Sequence, residues 1–184
     1  MMNRTMISTA FATMLLLGGV STAATASVAD DVRAAQSTKI SLKQAITVAS
    51  TQASGSLISA EFDEDDDRAK GGVYEIEFHS DMTGYDIKVD ATTGKIIRTE
   101  TERLDRDDIN EYKIQQKAKV NIIDAMSIAE KNTKGRIIKI EFKNDRDYVD
   151  HSTYYEAEVL KGNQIYELNI DANTGRVFDK KVKR

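Results

Sequence analysis

An internal repeat constrains the fold of this chain more than any other feature of its sequence. A shift of 80 residues aligns a helix-like and a strand-like segment with second copies of themselves, and one extra residue between 147 and 153 then changes the shift to 81. The matched pairs include Leu42/Ile122, Ala45/Ala125, Gly55/Gly135, Phe62/Phe142, Tyr74/Tyr155 and Tyr85/Tyr166. The copies occupy residues 40–100 and 120–181, so the mature chain is predicted to contain two related units.

The sequence pattern of each copy predicts one short helix followed by strands. Apolar residues recur at i, i+3, i+4 and i+7 from Leu42 to Ala49, and Ser41 with Gln44 forms a capping-box start. Apolar and polar residues then alternate at period two. The predicted inward-facing strand residues are Ile58, Ala60, Phe62, Tyr74, Ile76, Phe78, Tyr85, Ile87, Val89 and Ile96, with Ile138, Ile140, Phe142, Tyr155, Ala157, Val159, Tyr166, Leu168, Ile170 and Val177. The predicted fold is α+β: two repeated units, each a short helix packed on one face of an antiparallel, four-stranded β-meander.

The other face of the predicted sheet is polar. It carries Glu61, Glu75, Glu77, His79, Asp86, Lys88, Glu141, Glu156, Glu158, Glu167 and Asn169. Antiparallel sheets tolerate one solvated face, so this face is expected to meet water or a polar partner. Because a unit of about 60 residues buries little surface alone, we also expect the copies to pack on each other or on a partner.

The first 26 residues have the pattern of a secretory signal. Arg4 is the one charge, an apolar stretch runs from Met6 to Val20, and Ala24-Thr25-Ala26 resembles a cleavage site. The stretch is too short to span a bilayer as a helix, although an uncleaved N-terminal anchor is the alternative. The prediction is a signal peptide over 1–26, a periplasmic or secreted protein, and no transmembrane segment in the mature chain.

The segments outside the two copies are predicted to lack packed structure. Residues 27–39 have no sustained periodicity and are interpreted as a flexible leader. Residues 101–119 are interpreted as a charged linker with a helical turn around Ile109 to Ile114, and residues 182–184 as a solvated tail.

Composition excludes several kinds of chemistry. The chain has no cysteine, which rules out disulfides, thiolate nucleophiles and iron–sulfur clusters, and its formal net charge of −4 argues against nucleic acid as a partner. His79 and His151 do not align between the copies and are predicted to be solvated rather than catalytic. We therefore predict no catalytic residues, no cofactor and no enzymatic activity.

The acidic run from Asp63 to Asp67 superficially resembles the start of a calcium loop. Arg68 stands where such a loop needs glycine, and Tyr74 stands where it needs glutamate. The run is interpreted as a solvated hairpin loop, and no metal site is predicted. Asp63, Asp65 and Asp67 are weak candidates for binding a divalent cation.

The order of these signals resembles the PepSY domain family. The resemblance rests on the Ser54-Gly55 break, on Tyr74-Glu75-Ile76-Glu77, and on the terminal hairpins from Tyr85 to Gly94 and from Tyr166 to Gly175, whose Asp-Ala-x-Thr-Gly runs are interpreted as turns. It implies a non-enzymatic module found in propeptides of thermolysin-like metallopeptidases and in free-standing envelope proteins.

The resemblance also implies a function and a kind of partner. The sequence has no His-Glu-x-x-His motif and no peptidase domain after Arg184, so inhibition of a peptidase is expected to act in trans. The prediction is an exported protein-binding module, a candidate inhibitor or modulator of a peptidase. Its partner is a peptidase or another envelope protein, bound through the sheet edges or through the acidic face of the sheet. The alternative is an envelope protein that responds to a divalent cation or small ligand through loop 63–67.

Overall fold

The structure, a computed structural model, describes residues 22–64 and 69–183. Four helices and eight strands are assigned within these ranges. In chain order they are α1 (Thr22–Ser37), α2 (Leu42–Ala49), β1 (Ser56–Asp63), β2 (Val73–His79), β3 (Thr83–Asp90), β4 (Ile96–Arg103), α3 (Arg106–Gln115), α4 (Ile122–Thr133), β5 (Arg136–Asn144), β6 (Thr153–Lys161), β7 (Gln164–Asp171) and β8 (Val177–Val182).

The eight strands form one antiparallel sheet in the order β4-β3-β2-β1-β5-β6-β7-β8. Each copy supplies a four-stranded meander, and the two meanders join where β1 pairs with β5. At this joint Ala60 lies opposite Ile140, its own equivalent in the repeat. A pseudo-twofold axis therefore passes through that pair, and the predicted α+β fold of two repeated units is confirmed.

Helices α2 and α4 pack on one face of the sheet, here called the helix face. Ser41 and Gln44 form the expected capping box, and the apolar stripe of α2 is buried. Residues from both copies belong to one hydrophobic core on this face, and Lys43 Nζ of α2 lies 2.6 Å from Glu130 Oε2 of α4. The two units thus share a single core, which meets the expectation that the copies pack on each other or on a partner.

A β-bulge near the start of β1 and of β5 changes which apolar residue faces the helices. The bulges lie between Leu57 and Ser59 and between Ile137 and Lys139. Leu57 and Ile137 join the helix-face core, whereas Ile138 joins a second apolar cluster with Leu160 and Ile165. The prediction that Ile58 and Ile138 face the helices is wrong, because the extra residue in each bulge shifts the alternation by one.

The turn between the last two strands of each copy follows the predicted turn chemistry. Asp90 Oδ1 accepts hydrogen bonds from the backbone N–H of Thr92 at 2.8 Å and of Thr93 at 2.7 Å. Asp171 Oδ1 makes the same two contacts in the second copy. These hydrogen bonds satisfy backbone N–H groups of each Asp-Ala-x-Thr-Gly run within the turn itself.

The prediction that residues 27–39 form a flexible leader is wrong, because most of these residues are helical and packed. It continues α1 to Ser37, with Val32 and Ala35 buried against Ile138, Leu160 and Ile165 on the second copy. Gln36 Nε2 also donates to Gly162 O at 2.9 Å. The helix forms because it covers apolar residues that would otherwise lie exposed on the polar face of the sheet.

The predicted charged linker, residues 101–119, is also more ordered than expected. Strand β4 continues to Arg103, and α3 begins at an Asp105 cap and ends at Gln115. Gln115 Nε2 donates to Leu57 O at 2.7 Å, and Gln116 Nε2 donates to Ser56 Oγ at 2.8 Å. The predicted helical turn is therefore a ten-residue helix.

Helices α1 and α3 are equivalent under the repeat. The shift of 80 places Gln36 on Gln116, and each glutamine contacts the copy that its helix does not precede: Gln36 donates to Gly162 O of the second copy, and Gln116 to Ser56 Oγ of the first. Helix α3 also packs against β5 of the second copy. Both lie on the sheet face opposite α2 and α4. They form two walls on that polar face.

The chain ends are partly outside the described ranges. Residues 1–21 of the predicted signal peptide and Arg184 lie outside them, so the signal peptide stays a prediction. The prediction of a solvated tail is wrong for Val182 and Lys183. Val182 ends β8, and the backbone N–H of Lys183 donates to Ile165 O at 2.9 Å. In the part of the chain that the structure describes, no helix is long and apolar enough to cross a membrane.

Candidate functional site

The polar face of the sheet forms the floor of a groove between α1 and α3, called here the acidic groove. Its volume is about 1160 Å³. Asp31 of α1 and Asp108 of α3 lie at its two walls, and the floor comes from the central strands of both copies. Twelve carboxylates line it beside four basic side chains, which are Lys88, Arg98, Lys139 and Lys183. The predicted polar face is thus a concave surface with an excess of negative charge.

Lys139 holds three carboxylates together near the pseudo-twofold axis. Its Nζ lies 3.6 Å from Glu61 Oε2, 3.5 Å from Glu141 Oε2 and 3.4 Å from Glu156 Oε1. Burial alone would lower the pKa of Lys139, but these carboxylates raise it above its usual value. The lysine stays charged and neutralises part of the groove where the two copies meet.

His79 is buried and paired, so the prediction that it is solvated is wrong. Its Nε2 lies 2.6 Å from Glu77 Oε1, and Ser59 Oγ donates to Glu77 Oε2 at 3.1 Å. Burial alone would lower the pKa of His79, but the Glu77 carboxylate raises it. The acids Asp108 and Glu111 of α3 raise it further. A strand pattern could not predict this environment, because it depends on the position of α3.

The contacts of His79 do not form a nucleophile relay. Ser59 donates to the carboxylate of Glu77 rather than to the imidazole ring. A serine activated by a histidine needs the hydroxyl within hydrogen-bond distance of the ring. The Ser59–Glu77–His79 set therefore has the geometry of a structural ion pair.

His151 is also paired rather than solvated. Its Nδ1 lies 2.7 Å from Asp171 Oδ2, and its ring stacks on Phe178 with the centroids 3.9 Å apart. Tyr148 and Tyr154 complete a group of four rings at this corner of the second copy. These contacts anchor the loop before β6. The Asp171 carboxylate, in the adjoining turn, is the sequence feature that could have indicated a partner for His151.

Two carboxyls in the first copy's half of the groove have strongly raised pKa values. Partial removal from water, together with the like charges of Glu77, Glu102 and Glu100, raises the pKa of Asp86 to about 6. Burial of Glu111, which lies on α3, together with the charges of Glu141 and Glu77, raises its pKa to about 7. Negative charges are therefore crowded on this half of the floor.

Replacing Asp86 by asparagine should change how stability depends on pH. Because the pKa of Asp86 is higher in the folded chain than in the unfolded one, its charge opposes folding above about pH 6, and this cost disappears as the pH falls toward about 4. We expect Asp86→Asn to raise the melting temperature at about pH 7.5 and to have no stabilising effect near pH 4. Asp150→Asn, at an exposed loop position, is the control. A melting-temperature difference independent of pH would contradict this account.

The weak metal candidates lie mostly outside the described residues. Asp63 ends β1, whereas Asp65 and Asp67 fall between residues 64 and 69. Within residues 22–64 and 69–183, no group of three or more acidic or histidine side chains is arranged to hold a metal ion. Cation binding by loop 63–67 therefore stays a prediction.

The fold and the groove define a class of protein: a tandem α+β repeat with one face closed by helices and the other open. The family model described as "Peptidase propeptide and YPEB domain" matches residues 39–100 and 119–181. The chain belongs to this PepSY family, as its sequence resemblance predicted. The matched ranges agree closely with the two copies found in the sequence.

Two solved structures are similar to the chain. The candidate lipoprotein CD1622 from Clostridium difficile 630 is 24% identical, with 79% of this chain and 94% of that chain covered and a TM-score of 0.46. The Bacillus megaterium YpeB C-terminal domain is 18% identical, with 80% of this chain and 67% of that one covered and a TM-score of 0.31. No curated protein matches significantly.

Proposed function

We propose that this chain is an exported, non-enzymatic module that binds a protein partner in the cell envelope through the acidic groove. The observation that carries the proposal is the contrast between the two faces of the sheet. The helix face is filled by the common core, whereas the polar face is left open between α1 and α3. An open, concave and charged face is suited to recognising a polar segment of another protein.

The size and lining of the groove favour a polypeptide over a small molecule. Small-molecule sites are typically about 300–1,000 Å³ and mainly apolar. The acidic groove is larger and lined by charged side chains. Its shape and chemistry suit an extended segment that contacts several strands at once.

The open face is also a better docking surface than the sheet edges. The outer strands are β4 and β8, and an edge strand can pair with a partner's strand. However, Glu100, Glu102 and Arg103 are exposed along β4, as are Lys180 and Lys181 along β8, and charged side chains on an edge discourage such pairing. We therefore place the partner across the face rather than beside it.

A peptidase is the partner class that we propose first. The family's description refers to peptidase propeptides. This description supports a role in modulating a peptidase in trans. Inhibition is the expected direction of the effect.

Affinity capture followed by a peptidase assay tests this function. The purified exported chain, immobilised, should retain a protein from a periplasmic extract, and added chain should lower peptidase activity in the retained fraction. The same chain unfolded by heat before coupling is the control. If no protein were retained specifically under any growth condition, the proposed function would be wrong.

The acidic run at 63–67 supports a second candidate function, a response to a divalent cation. A cation that binds only the folded chain raises its melting temperature by mass action. This candidate predicts an increase in melting temperature at about millimolar calcium, where sites of extracellular modules bind. It also predicts that the Asp63→Asn, Asp65→Asn, Asp67→Asn triple variant loses the increase. An unchanged melting temperature would eliminate this candidate.

A further inference from the structure

The repeat allows the polar face of one copy to be compared with the other, position by position. In the second copy, two ion pairs cross this face. Lys183 Nζ lies 2.8 Å from Glu158 Oε1, and Lys181 Nζ lies 2.6 Å from Glu167 Oε1. The two lysines lie two residues apart at the end of the chain, and Lys181 lies directly opposite Glu167 in the pairing of β7 with β8.

The first copy keeps the acids of these pairs but replaces both lysines by glutamates. The shift of 81 places Glu77 on Glu158 and Asp86 on Glu167, and it places Glu100 on Lys181 and Glu102 on Lys183. Asp86 lies directly opposite Glu100 in the pairing of β3 with β4. Two ion pairs of the second copy thus correspond to two pairs of like charge in the first.

The rest of the chain neutralises this charge only in part. Glu77 is paired with His79, and Glu100 is paired with Arg98. Within the described ranges, no salt bridge joins Asp86 or Glu102 to a basic side chain. Helix α3 adds Asp108 at the wall. Like charges opposite each other on neighbouring strands are destabilising, so folding alone does not account for this arrangement.

We propose that the first copy's half of the acidic groove binds an extended segment of a partner protein that carries two basic residues two positions apart. Lying across the face, these residues would supply the two positive charges that Lys181 and Lys183 supply in the second copy. Side chains at i and i+2 of an extended segment lie on the same side, about 6.5–7 Å apart, as the two lysines do. The inference rests on the proposed function and names the chemistry of its partner.

Two labelled peptides of equal composition test the spacing. One is Thr-Lys-Thr-Lys-Thr, with its basic residues on one side, and the other is Thr-Lys-Lys-Thr-Thr, with them on opposite sides. Fluorescence anisotropy at low ionic strength should show tighter binding of the first peptide to the intact chain, and added salt should weaken it. Equal affinity for the two peptides, or no binding of either, would overturn the inference.

The double variant Glu100→Lys, Glu102→Lys gives the first copy the charge pattern of the second. It should bind the first peptide about tenfold more weakly and lose the preference for the spacing. Because it removes like-charge pairs, its melting temperature should not fall, which shows that the variant is folded. Asp147→Lys, Asp150→Lys is the matched control, with the same change in net charge on a distant loop, and should retain the affinity. Equal affinity of the two double variants would overturn the inference.

The capture experiment separates this inference from the proposed function. A protein retained by the intact chain and lost with Glu100→Lys, Glu102→Lys supports both. A protein retained equally by the two baits overturns the inference and leaves the proposed function standing. If the intact chain retains no protein, both the proposed function and the inference that rests on it are overturned.

Discussion

Replacing Phe142 by alanine is expected to lower the free energy of unfolding by about 3–5 kcal/mol. The ring is 1% exposed and makes an edge-to-face contact with Tyr155, with the ring centroids 5.5 Å apart. It lies in the core that both copies share, so a cavity there would weaken the packing of the whole sheet against its helices. Urea unfolding followed by circular dichroism gives the change directly.

Phe62→Ala is the matched comparison, because Phe62 is the equivalent residue in the first copy. It makes a similar edge-to-face contact with Tyr74 at 5.7 Å, but its ring is only partly buried and packs at the margin of both apolar clusters. Less area returns to water and the site is freer to relax, so we expect a smaller loss than for Phe142→Ala. Equal losses for the two variants would show that the copies contribute symmetrically to the core.

Gly55→Ala is expected to lower the free energy of unfolding by about 2–5 kcal/mol, because two unfavourable effects add. The backbone at Gly55 has a φ of 101°, which is strained for any residue with a side chain by about 1–3 kcal/mol. A Cβ atom there would also lie 2.0 Å from the carbonyl oxygen of His79, a contact that only a backbone shift can relieve. The measurement is the same urea titration.

Gly162→Ala controls for the backbone contribution alone. Gly162 has a φ of 58°, and nothing lies within 4 Å of the place where its Cβ would be. We expect a loss of about 1–2 kcal/mol, from the left-handed conformation only. If both glycine variants lost the same stability, the close approach at Gly55 would have no energetic effect.

The parts of the fold predicted correctly from the sequence are those encoded locally. The apolar stripe of α2, its capping box and the alternation along β2 and β3 each depend on residues a few positions apart. The repeat then indicated that the second half must have the same fold. The pairing of β1 with β5, which joins the two halves, had no local signal.

The errors arose where a short segment is stabilised by residues distant in the sequence. Helix α1 has only two apolar side chains larger than alanine, Val28 and Val32, and is held by the apolar cluster around Ile138. The bulge at Ile137 is a single-residue irregularity inside an otherwise regular alternation. His79 is buried because α3 lies over the polar face, and α3 itself was expected to be mostly linker.

The candidate site could be predicted as a surface but not as a groove. Alternation placed the acids on one face, which the structure confirms. Of the walls, α1 was not predicted and α3 was predicted only as one helical turn, and without them the face has no concavity. The exchange of lysines for glutamates is visible in the sequence once the shift of 81 is applied, but its meaning depends on the cross-strand pairing of Asp86 with Glu100.

The pseudo-twofold axis through Ala60 and Ile140 makes this chain the covalent counterpart of a homodimer. In a dimer of identical subunits, every substitution appears twice. Exchanging the lysines for glutamates would therefore change both halves of the polar face at once. Fusion of the two halves removes this constraint. One half can keep its lysines and contribute to stability, while the other carries uncompensated charge for recognition.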